Sequence, residues 1–387
     1  MARTSSVDAR RALTTEVKRA ARAAGFDLVG VTSAADFSDT ERVILDRIDG
    51  GLMDGLPWFY EERVKRGCRP ADIMPGVRSI IALGLSYRTP EPELPDDGAL
   101  RGRIARYAWG RDYHKVIERR ARALVRGLEA LGGGAARFYV DYGPMPDRAI
   151  AQRAGLGWFG KNTNILTAEA GSWVVLAEVL TDLDLDPDEP LKKSCGSCVA
   201  CIPACPTNAI PAPYAIDNTR CISYHTIENR GAIPPELRPQ FGDWVFGCDI
   251  CQEVCPVNDR NAAVNGDEAF AAESVGRAYP DLIELLGMSK ADFDGRFQGT
   301  PIMRAKHEGM QRNACVALGN AGDASAVPAL ARALTEAGAL VRGHAAWALG
   351  RIGGPEAQDA LTAALVNEDA ASVRPEIKAA LAAWRSS

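Results

Sequence analysis

The sequence predicts three regions in order along the chain: an α/β domain over residues 1–185, a small cysteine-rich domain over residues 186–270, and an all-α repeat tail over residues 271–387. Strand-like and helix-like hydrophobic runs alternate in the first region. Eight of the ten cysteines lie between Cys195 and Cys255. The last region is rich in Ala and Leu and repeats a pattern internally. A chain of 387 residues is long enough for three such regions.

The overall composition is typical of a soluble globular protein, with 47% hydrophobic and 25% charged residues. The net charge is −5, so any contact with nucleic acid depends on a local basic patch. The most apolar run, residues 173–180, is too short to span a bilayer and contains Glu178. Arg10 and Arg11 form a twin-arginine pair, but the segment after them lacks the apolar stretch of an export signal. We therefore expect a cytoplasmic protein without a membrane partner.

The first region contains four runs with the length and residue types of β-strands, at 26–31, 79–85, 136–140 and 173–180. Apolar periodicity predicts a long helix over 112–131 and an N-terminal surface helix with Leu13, Val17, Ala20 and Ala21 on one face. Residues 155–160 match the letters Gly-x-Gly-x-x-Gly, but no helical pattern follows them. We interpret them as a glycine-rich turn that shapes a pocket.

The last region repeats with a period of about thirty residues. Residues 313–319 (NACVALG) match residues 344–350 (HAAWALG). This spacing resembles short HEAT-like repeats, in which helix pairs stack into an array. Two copies and a partial third are too few to be stable alone, so we expect the array to pack on the preceding domain.

The first cysteine motif is Cys195-x₂-Cys198-x₂-Cys201-x₃-Cys205-Pro. In this motif three thiolates bind one [4Fe–4S] cluster, and the fourth cysteine ligates a second cluster. A zinc ribbon also uses Cys-x₂-Cys pairs, but it does not call for the further cysteines or for the Cys-Pro endings. The spacing therefore predicts two clusters.

The second cysteine motif, Cys248-x₂-Cys251-x₃-Cys255-Pro, is one cysteine short, because Val245 occupies the first position. Cys221 is the nearby thiol left to complete the set. We predict that cluster 1 is bound by Cys195, Cys198, Cys201 and Cys255, and cluster 2 by Cys205, Cys221, Cys248 and Cys251. The two remaining cysteines, Cys68 and Cys315, are predicted to be small buried apolar residues.

Five further segments form a specific combination of motifs: RYAWGRDYH (106–114), VDYGP (140–144), GLGWFGKNTN (155–164), CISY (221–224) and FGCDIC (246–251). Together they resemble the epoxyqueuosine reductase family, and the resemblance runs from about residue 15 through the repeat tail. The resemblance implies a nitroreductase-like N-terminal domain that holds base-off cobalamin, reduced to Co(I) by the two clusters of a ferredoxin-like domain. Residues 112–117 begin an Asp-x-His-x-x-Gly segment, but Ile117 replaces the glycine, so a histidine-ligated cobalamin is not indicated.

The same resemblance implies the reaction and its partners. The substrate is epoxyqueuosine at the wobble position of a tRNA with a GUN-type anticodon. Two electrons and two protons convert its epoxide to the cyclopentene of queuosine, with loss of water. A cellular donor such as flavodoxin or ferredoxin supplies the electrons. One active site fits within one chain, so a monomer is expected.

Asp141 matches the proton donor of the family. An acid that protonates the oxygen of an opening epoxide lowers the barrier. Such an acid must stay protonated near neutral pH, so we expect partial burial to raise its pKa. The alternative is that Asp141 only opens the turn before Gly143 and Pro144, a position that aspartate favours.

The resemblance also implies contacts to cobalamin. The candidate cobalamin contacts are Arg63, Tyr107, Asp141, Asn162, Asn164, Ser223 and Asp249. Among the candidate tRNA contacts, Arg148 matches an arginine of the family, whereas Arg304, Lys306, Arg312 and Arg342 are local basic residues of the repeat region. The alternative for Tyr107 is a core tyrosine, and the alternative for the basic residues is an ordinary solvated helix face.

Two other functions remain open from the sequence. A reductive dehalogenase shares base-off cobalamin and two clusters, but such enzymes are typically exported and lack a HEAT-like tail. A non-catalytic ferredoxin-like electron carrier does not need a large α/β domain.

Overall fold

The computed structural model describes residues 2–261, 264 and 266–384. Its described strands are β1 (Leu28–Ser33), β2 (Ser79–Ser86), β3 (Arg103–Ile104), β4 (Ala136–Tyr139), β5 (Trp158–Phe159), β6 (Ile165–Leu166), β7 (Val174–Thr181) and β8 (Trp244–Phe246). The helices of the first region are α1 (Ala2–Ala23), α2 (Ser38–Asp49), α3 (Glu61–Gly67), α4 (Pro70–Ile73), α5 (Tyr113–Ala130) and α6 (Asp147–Arg153).

The first region is built on a four-stranded sheet of order β1-β2-β7-β4, in which each neighbouring pair is antiparallel. All eight residues of the central strand β2 are buried, because helices cover both faces. Val17 of α1 and Leu124 of α5 pack on one face, whereas Val64 of α3 and Ile150 of α6 pack on the other. The four predicted strands are therefore confirmed, with shifts of a few residues at their ends.

Helix α5 begins where the sequence places it. The Asp112 side chain accepts a hydrogen bond from the backbone N–H of His114, which caps the first turn. Val116, Ile117, Leu124 and Leu128 recur on one face and are buried against the sheet.

The glycine-rich segment 155–160 runs into the β5–β6 hairpin, with no helix after it. Gly157 packs directly against the backbone of Leu166, and a Cβ at this position would lie 2.4 Å from the Leu166 carbonyl oxygen. The glycine is therefore required by packing within the hairpin, not by a bound dinucleotide.

The acidic segment 182–190 is fixed to the sheet domain. Arg10 and Lys18 of α1 pair with Asp186 and Asp188, respectively. Asp188 also accepts a hydrogen bond from the backbone N–H of Val31 at 2.7 Å. The segment thus follows the domain surface with defined contacts.

The cysteine-rich region contains only short elements. Its described helices are α7 (Cys201–Ala204), α8 (Ile222–Ile227), α9 (Ile250–Glu253) and α10 (Pro256–Asn261). Strand β8 pairs in parallel with β3, which comes from the first predicted region. This ladder joins residues from both sides of the predicted boundary at 185. The boundaries at 185 and 270 remain a prediction.

The tail is entirely helical in its described part. Its helices are α11 (Val275–Ala278), α12 (Leu282–Gly287), α13 (Lys290–Phe297), α14 (Lys306–Ala321), α15 (Val327–Glu336), α16 (Ala339–Ile352), α17 (Pro355–Asn367) and α18 (Arg374–Trp384). The two matching sequence segments lie in α14 and α16.

One continuous core includes Val245 and Phe246 of β8 together with Ala314 and Leu318 of α14. The array packs on the preceding region, as expected. Cys68 and Cys315 are buried, at 1% and 0% exposure, as predicted. None of the described helices combines the length and the apolarity needed to cross a membrane.

Candidate active site and cluster ligands

The eight clustered cysteines form two groups in space. Burial raises the pKa of the Cys201 thiol, and the negative charges of Cys195, Cys255 and Cys198 raise it further. Burial also raises the pKa of the Cys255 thiol, and the charges of Cys195 and Cys198 raise it further. These four side chains therefore lie together, as the crossing motif predicts for cluster 1.

The second group is formed by Cys205, Cys221, Cys248 and Cys251. Burial raises the pKa of Cys248, and Cys221 and Cys251 add to the effect. Burial raises the pKa of Cys221 and of Cys251. The charge of Cys205 raises the pKa of Cys221 further, and the charges of Cys201 and Cys205 raise that of Cys251 further. The two groups are therefore neighbours, and Cys221 lies with the group that the sequence left one ligand short.

Each group consists of four cysteines, and four thiolates are the ligands that hold a [4Fe–4S] cluster. The grouping supports the predicted ligand sets.

Asp141 stands at the tip of the loop after β4. Its backbone is left-handed, with φ of 60°, a conformation that aspartate tolerates better than most residues. Arg63 of α3 donates hydrogen bonds to the carbonyl oxygens of Tyr142 at 3.2 Å and Gly143 at 2.8 Å. Arg63, predicted to bind cobalamin, therefore holds the loop that carries Asp141.

The Asp141 carboxylate has two polar neighbours from α5. The Tyr113 hydroxyl donates a hydrogen bond to its Oδ2, and His114 Nε2 lies 3.7 Å from the same oxygen. The Asp141 side chain is 62% exposed, so the expected partial burial is wrong. The left-handed loop projects the carboxylate away from the sheet, and Tyr113 and His114 cover one side of it.

Basic and aromatic side chains border the same surface. Arg304 lies close enough to Asp141 and Tyr113 for their charges to raise its pKa, although its main partner is Glu228. The Arg304 guanidinium also lies over the Trp58 ring, 5.3 Å from its centroid. Arg304 and Lys306 are both exposed.

Tyr107 connects this surface to the second cysteine group. Its ring packs between Tyr113 and Phe246, with centroid distances of 6.0 and 6.1 Å. Burial, followed by the negative charges of Asp141 and Asp249, raises its pKa well above the ordinary value. Tyr107 therefore stands between the Asp141 loop and the segment containing Cys248 and Cys251.

Asp249 fixes that segment to the first region. Its Oδ2 accepts a hydrogen bond from the backbone N–H of Arg106 at 2.7 Å, and its Oδ1 accepts one from Gln252. Asn162 donates to the Cys251 carbonyl oxygen at 3.1 Å. Asp249 and Asn162 are only 2% and 4% exposed, so direct contact with the corrin is not supported for either.

The remaining predicted cobalamin residues are partly exposed at this junction. Asn164 donates its backbone N–H to the Asn162 side chain. Burial raises the pKa of the Cys221 thiol, and the backbone N–H groups of Tyr224 and Ser223 oppose this rise. Tyr107, Asn164 and Ser223 thus lie where polar amides of a cofactor would meet hydrogen-bonding side chains.

Two predicted tRNA contacts are wrong because the arginines are used inside the protein. Arg312 is 1% exposed and donates to the carbonyl oxygens of Asn229, Gly231 and His225. Arg342 forms two hydrogen bonds with the Glu368 carboxylate, at 2.7 and 2.8 Å. Arg148, by contrast, is exposed. Burial lowers the pKa of Arg47, and the nearby charge of Arg148 lowers it further.

A buried acid pair behind the Asp141 loop was not predicted. Glu178 of β7 is fully buried, and Asp147 opens α6. Within the described residues, Asp147 Oδ1 and both Glu178 oxygens lack a well-aligned hydrogen-bond partner. Burial, followed by the neighbouring carboxylate, raises the pKa of Glu178 well above its ordinary value, and burial raises that of Asp147 to about 6. The sequence signal was a glutamate inside the most apolar run.

Comparisons with known proteins identify the family. A family model described as epoxyqueuosine reductase QueG, DUF1730, matches residues 68–142. The chain is 38% identical to an epoxyqueuosine reductase of Xanthomonas campestris pv. campestris, over 87% of this chain and 95% of the relative. It is 42% identical to that of Gloeobacter violaceus, over 80% and 97%.

The chain belongs to the epoxyqueuosine reductase family.

Solved structures of epoxyqueuosine reductases support the assignment to this family of enzymes. A crystal structure of epoxyqueuosine reductase with an epoxyqueuosine-modified tRNA-Tyr stem loop matches with a TM-score of 0.89 and 34% identity, over 96% of this chain and 99% of the other. A Bacillus subtilis structure, described as having its catalytic aspartate loop swung out of the active site, matches with a TM-score of 0.89 and 33% identity, over 96% and 98%.

Family models also match the other two regions. A 4Fe-4S double cluster binding domain covers residues 194–258, and HEAT repeats cover residues 300–382. The cofactors of this reductase are therefore two [4Fe–4S] clusters and cobalamin.

Proposed function

We propose that the chain reduces epoxyqueuosine to queuosine in tRNA, with Asp141 as the proton donor. The observation that carries the proposal is the position of Asp141, which is exposed on a braced loop and linked through Tyr107 to the segment of the second cysteine group. An acid and an electron supply thus meet at one surface. The related Bacillus subtilis enzyme, whose description names a catalytic aspartate loop, supports this role.

Cobalamin bound at this surface would supply the electrons and the nucleophile that open the epoxide. The residues at the junction that could hold it are Tyr107, Asn164 and Ser223, while buried Asn162 and Asp249 fix the backbone behind them. Asp141 would donate its proton to the epoxide oxygen as the C–O bond breaks, which avoids the cost of a free alkoxide.

Exposure of the cysteines indicates the direction of electron flow. Cys198 is exposed and its neighbour Val199 is 46% exposed, so cluster 1 faces solvent. Burial raises the pKa of Cys248 and Cys251 in the other group, which lies nearer Tyr107. We propose that an electron donor such as flavodoxin or ferredoxin reduces cluster 1, and that cluster 2 passes the electron on. The protein would do this as a monomer.

A tRNA anticodon is proposed to reach Asp141 beside the exposed cations Arg304 and Lys306. Arg304 is 54% exposed in its pair with Glu228, so the pair contributes little to stability and exchange of Glu228 for a phosphate costs little. Arg148 is a further exposed candidate. Phosphate contacts of this kind supply most of the affinity for nucleic acid.

The test is a reconstitution under anaerobic conditions. The protein is loaded with iron, sulfide and cobalamin, reduced, and given a tRNA stem loop that carries epoxyqueuosine. Mass spectrometry of the nucleosides should show loss of one oxygen, and Asp141→Asn should keep both clusters and the cobalamin spectrum but lose turnover. Reduction of a halogenated organic without formation of queuosine would instead support a dehalogenase.

A further inference from the structure

The Asp112–Tyr113–His114 segment has no role in the function proposed so far. In the sequence it looked like half of a histidine motif for the lower face of cobalt, with Ile117 in place of the glycine. In the structure its side chains face a different target. His114 Nδ1 lies 2.8 Å from Asp112 Oδ1, and the other ring nitrogen, Nε2, lies 3.7 Å from Asp141 Oδ2.

Three contacts fix the orientation of the His114 ring. Asp112 is held because its Oδ1 also accepts the N–H that caps α5, at 3.0 Å. The imidazole stacks on Tyr113, with a centroid distance of 4.1 Å, and on Tyr142 at 5.8 Å. With Nδ1–H donating to Asp112, a proton gained by the ring resides on Nε2, the nitrogen that faces Asp141.

The reaction requires two protons at one place. Opening the epoxide places one proton on the oxygen, and a second is needed when that oxygen leaves as water. Asp141 carries one proton and becomes a carboxylate after giving it up. Tyr113 also contacts this carboxylate, but burial and the Asp141 charge raise its pKa well above the ordinary value. Imidazole, in contrast, exchanges protons near neutral pH.

We propose that His114, oriented by Asp112, reloads Asp141 with the second proton. The Nε2–H bond breaks and an O–H bond forms at Asp141 Oδ2, with no change in oxidation state. His114 becomes neutral, keeps its Nδ1–H on Asp112, and regains a proton from solvent, to which its side chain is 29% exposed. The 3.7 Å separation is longer than a hydrogen bond, as is common for catalytic contacts before the substrate binds.

The other charged groups near the relay come from four elements. Lys115 on α5 interacts with Asp112, and Arg304 before α14 interacts with Asp141 and Tyr113. Glu118 on α5 accepts a hydrogen bond from the Tyr142 hydroxyl at 3.4 Å. Asp147 and Glu178 both interact with Asp141 from α6 and β7. Variants at these positions are therefore the controls for any effect that is assigned to His114.

The first experiment measures proton binding without turnover. The chain has four histidines. Burial lowers the pKa of His225 and lowers that of His344 to about 3. ¹⁵N NMR of histidine-labelled protein, with His114→Gln to assign the signal, follows Nε2 directly. We expect Asp112→Asn and Asp141→Asn each to shift the Nε2 signal of His114 at constant pH, with Lys115→Gln as the control for a change of charge on the same helix; an unchanged Nε2 signal in both aspartate variants would overturn the relay.

The second experiment measures the reaction and rests on the proposed function. His114→Gln should retain both cluster spectra and its melting temperature while the single-turnover rate falls by about 10²-fold or more. The pH dependence of the single-turnover rate should change in His114→Gln, because the group that supplies the second proton is lost, and added imidazole should restore part of the rate to His114→Ala.

The outcomes separate the two proposals. If the wild-type protein forms no queuosine, the proposed function fails, whatever His114 does. If the wild type is active and His114→Gln turns over at the same rate with the same pH profile, the relay fails while the function stands. A slow His114→Gln with an unchanged pH profile and no imidazole rescue would show a structural role and would also overturn the relay.

Discussion

At the scale of single residues, chemical type and position in the fold contribute separately. Asp141 was predicted from a motif. The structure adds that its backbone is left-handed and that Arg63 of helix α3 holds its loop. Cys221 was named by counting thiols, and the structure places it beside Cys205 and Cys248. Both residues allow tests in which one atom group is removed and the rest of the site is kept.

Replacing Arg63 should loosen the loop of Asp141. Arg63→Ala removes two hydrogen bonds to the carbonyls of Tyr142 and Gly143. A loss of about 1.4 kcal/mol of positioning energy corresponds to a tenfold slower reaction. We expect a single-turnover rate about tenfold lower with unchanged cluster absorbance. Arg66→Ala, an exposed arginine on the same helix, is the matched control and should retain the wild-type rate.

Cys221→Ala should damage one cluster and spare the other. The four thiolates of each cluster come from separate groups, so removal of Cys221 affects the group of Cys205, Cys248 and Cys251. We expect iron content to fall by about half, measured by iron analysis and electron paramagnetic resonance. Cys315→Ala, at a buried cysteine outside both groups, should leave both signals unchanged. Loss of both clusters in Cys221→Ala would contradict the assignment.

At the scale of elements, helix α14 joins the repeat tail to the cysteine-rich region. Arg312 donates to three backbone carbonyls, and Asn313 donates to those of Thr226 at 2.9 Å and Val245 at 2.8 Å. No carboxylate balances Arg312 among these contacts, and burial lowers its pKa to about 10. These hydrogen bonds hold helix α14 to the cysteine-rich region, and Arg312 is therefore a structural residue.

Substitution of Arg312 should destabilise the protein much more than substitution of Arg304. Arg312→Leu leaves buried carbonyls without donors and should lower the free energy of unfolding by about 3 kcal/mol. Arg304→Leu removes an exposed ion pair and should change it by about 0.5 kcal/mol or less. Urea unfolding measures both. If Arg312→Leu kept its stability and weakened tRNA binding, the contact predicted from the sequence would be correct after all.

At the scale of the whole molecule, the charge distribution matters more than the total. A net charge of −5 repels RNA on average, so binding has to rely on exposed cations such as Arg304 and Lys306. Arg312 already donates to backbone carbonyl oxygens, and Arg342 is paired with Glu368, so we expect neither to contribute. The number of available cations sets the dependence of binding on salt.

Removing Arg304 should reduce the salt dependence of tRNA binding. Each phosphate contact contributes about one unit to the slope of log affinity against log salt. Arg304→Gln should therefore weaken binding of the stem loop and lower this slope by about one, measured by fluorescence anisotropy over a salt series. Arg342→Gln is the control and should keep the slope. An equal slope in wild type and Arg304→Gln would remove Arg304 from the interface.

Acid should destabilise the protein through His344. Its Nε2 accepts the Ile233 N–H at 3.1 Å and its Nδ1 donates to the Leu340 carbonyl, so burial holds the ring neutral and lowers its pKa to about 3. The unfolded chain binds this proton more readily. The contribution to stability is therefore complete above the ordinary pKa of 6.5 and is lost as pH falls from there toward 3.

The slope of this loss is about 1.4 kcal/mol per pH unit for one group. Urea unfolding of wild type between about pH 5 and pH 7 should be steeper in pH than that of His344→Gln, which cannot gain the proton. Parallel curves would show that His344 is not the titrating group.

The sequence alone determined the features that depend on local pattern. Cysteine spacing defined two clusters and pointed to Cys221, alternation located the four strands, and a repeated segment revealed the helical array. These follow because ligand spacing and hydrophobic periodicity are properties of neighbouring residues. The identity of Asp141 came from a motif of the same local kind.

Only the tertiary structure decided which side chains are free to act. Arg304 and Arg312 look alike in the sequence, yet one is exposed and the other is surrounded by carbonyls. The approach of His114 to Asp141, and of Asp147 to Glu178, joins residues from different elements. Burial and hydrogen bonding depend on contacts between distant segments, and the pattern of one segment does not contain them.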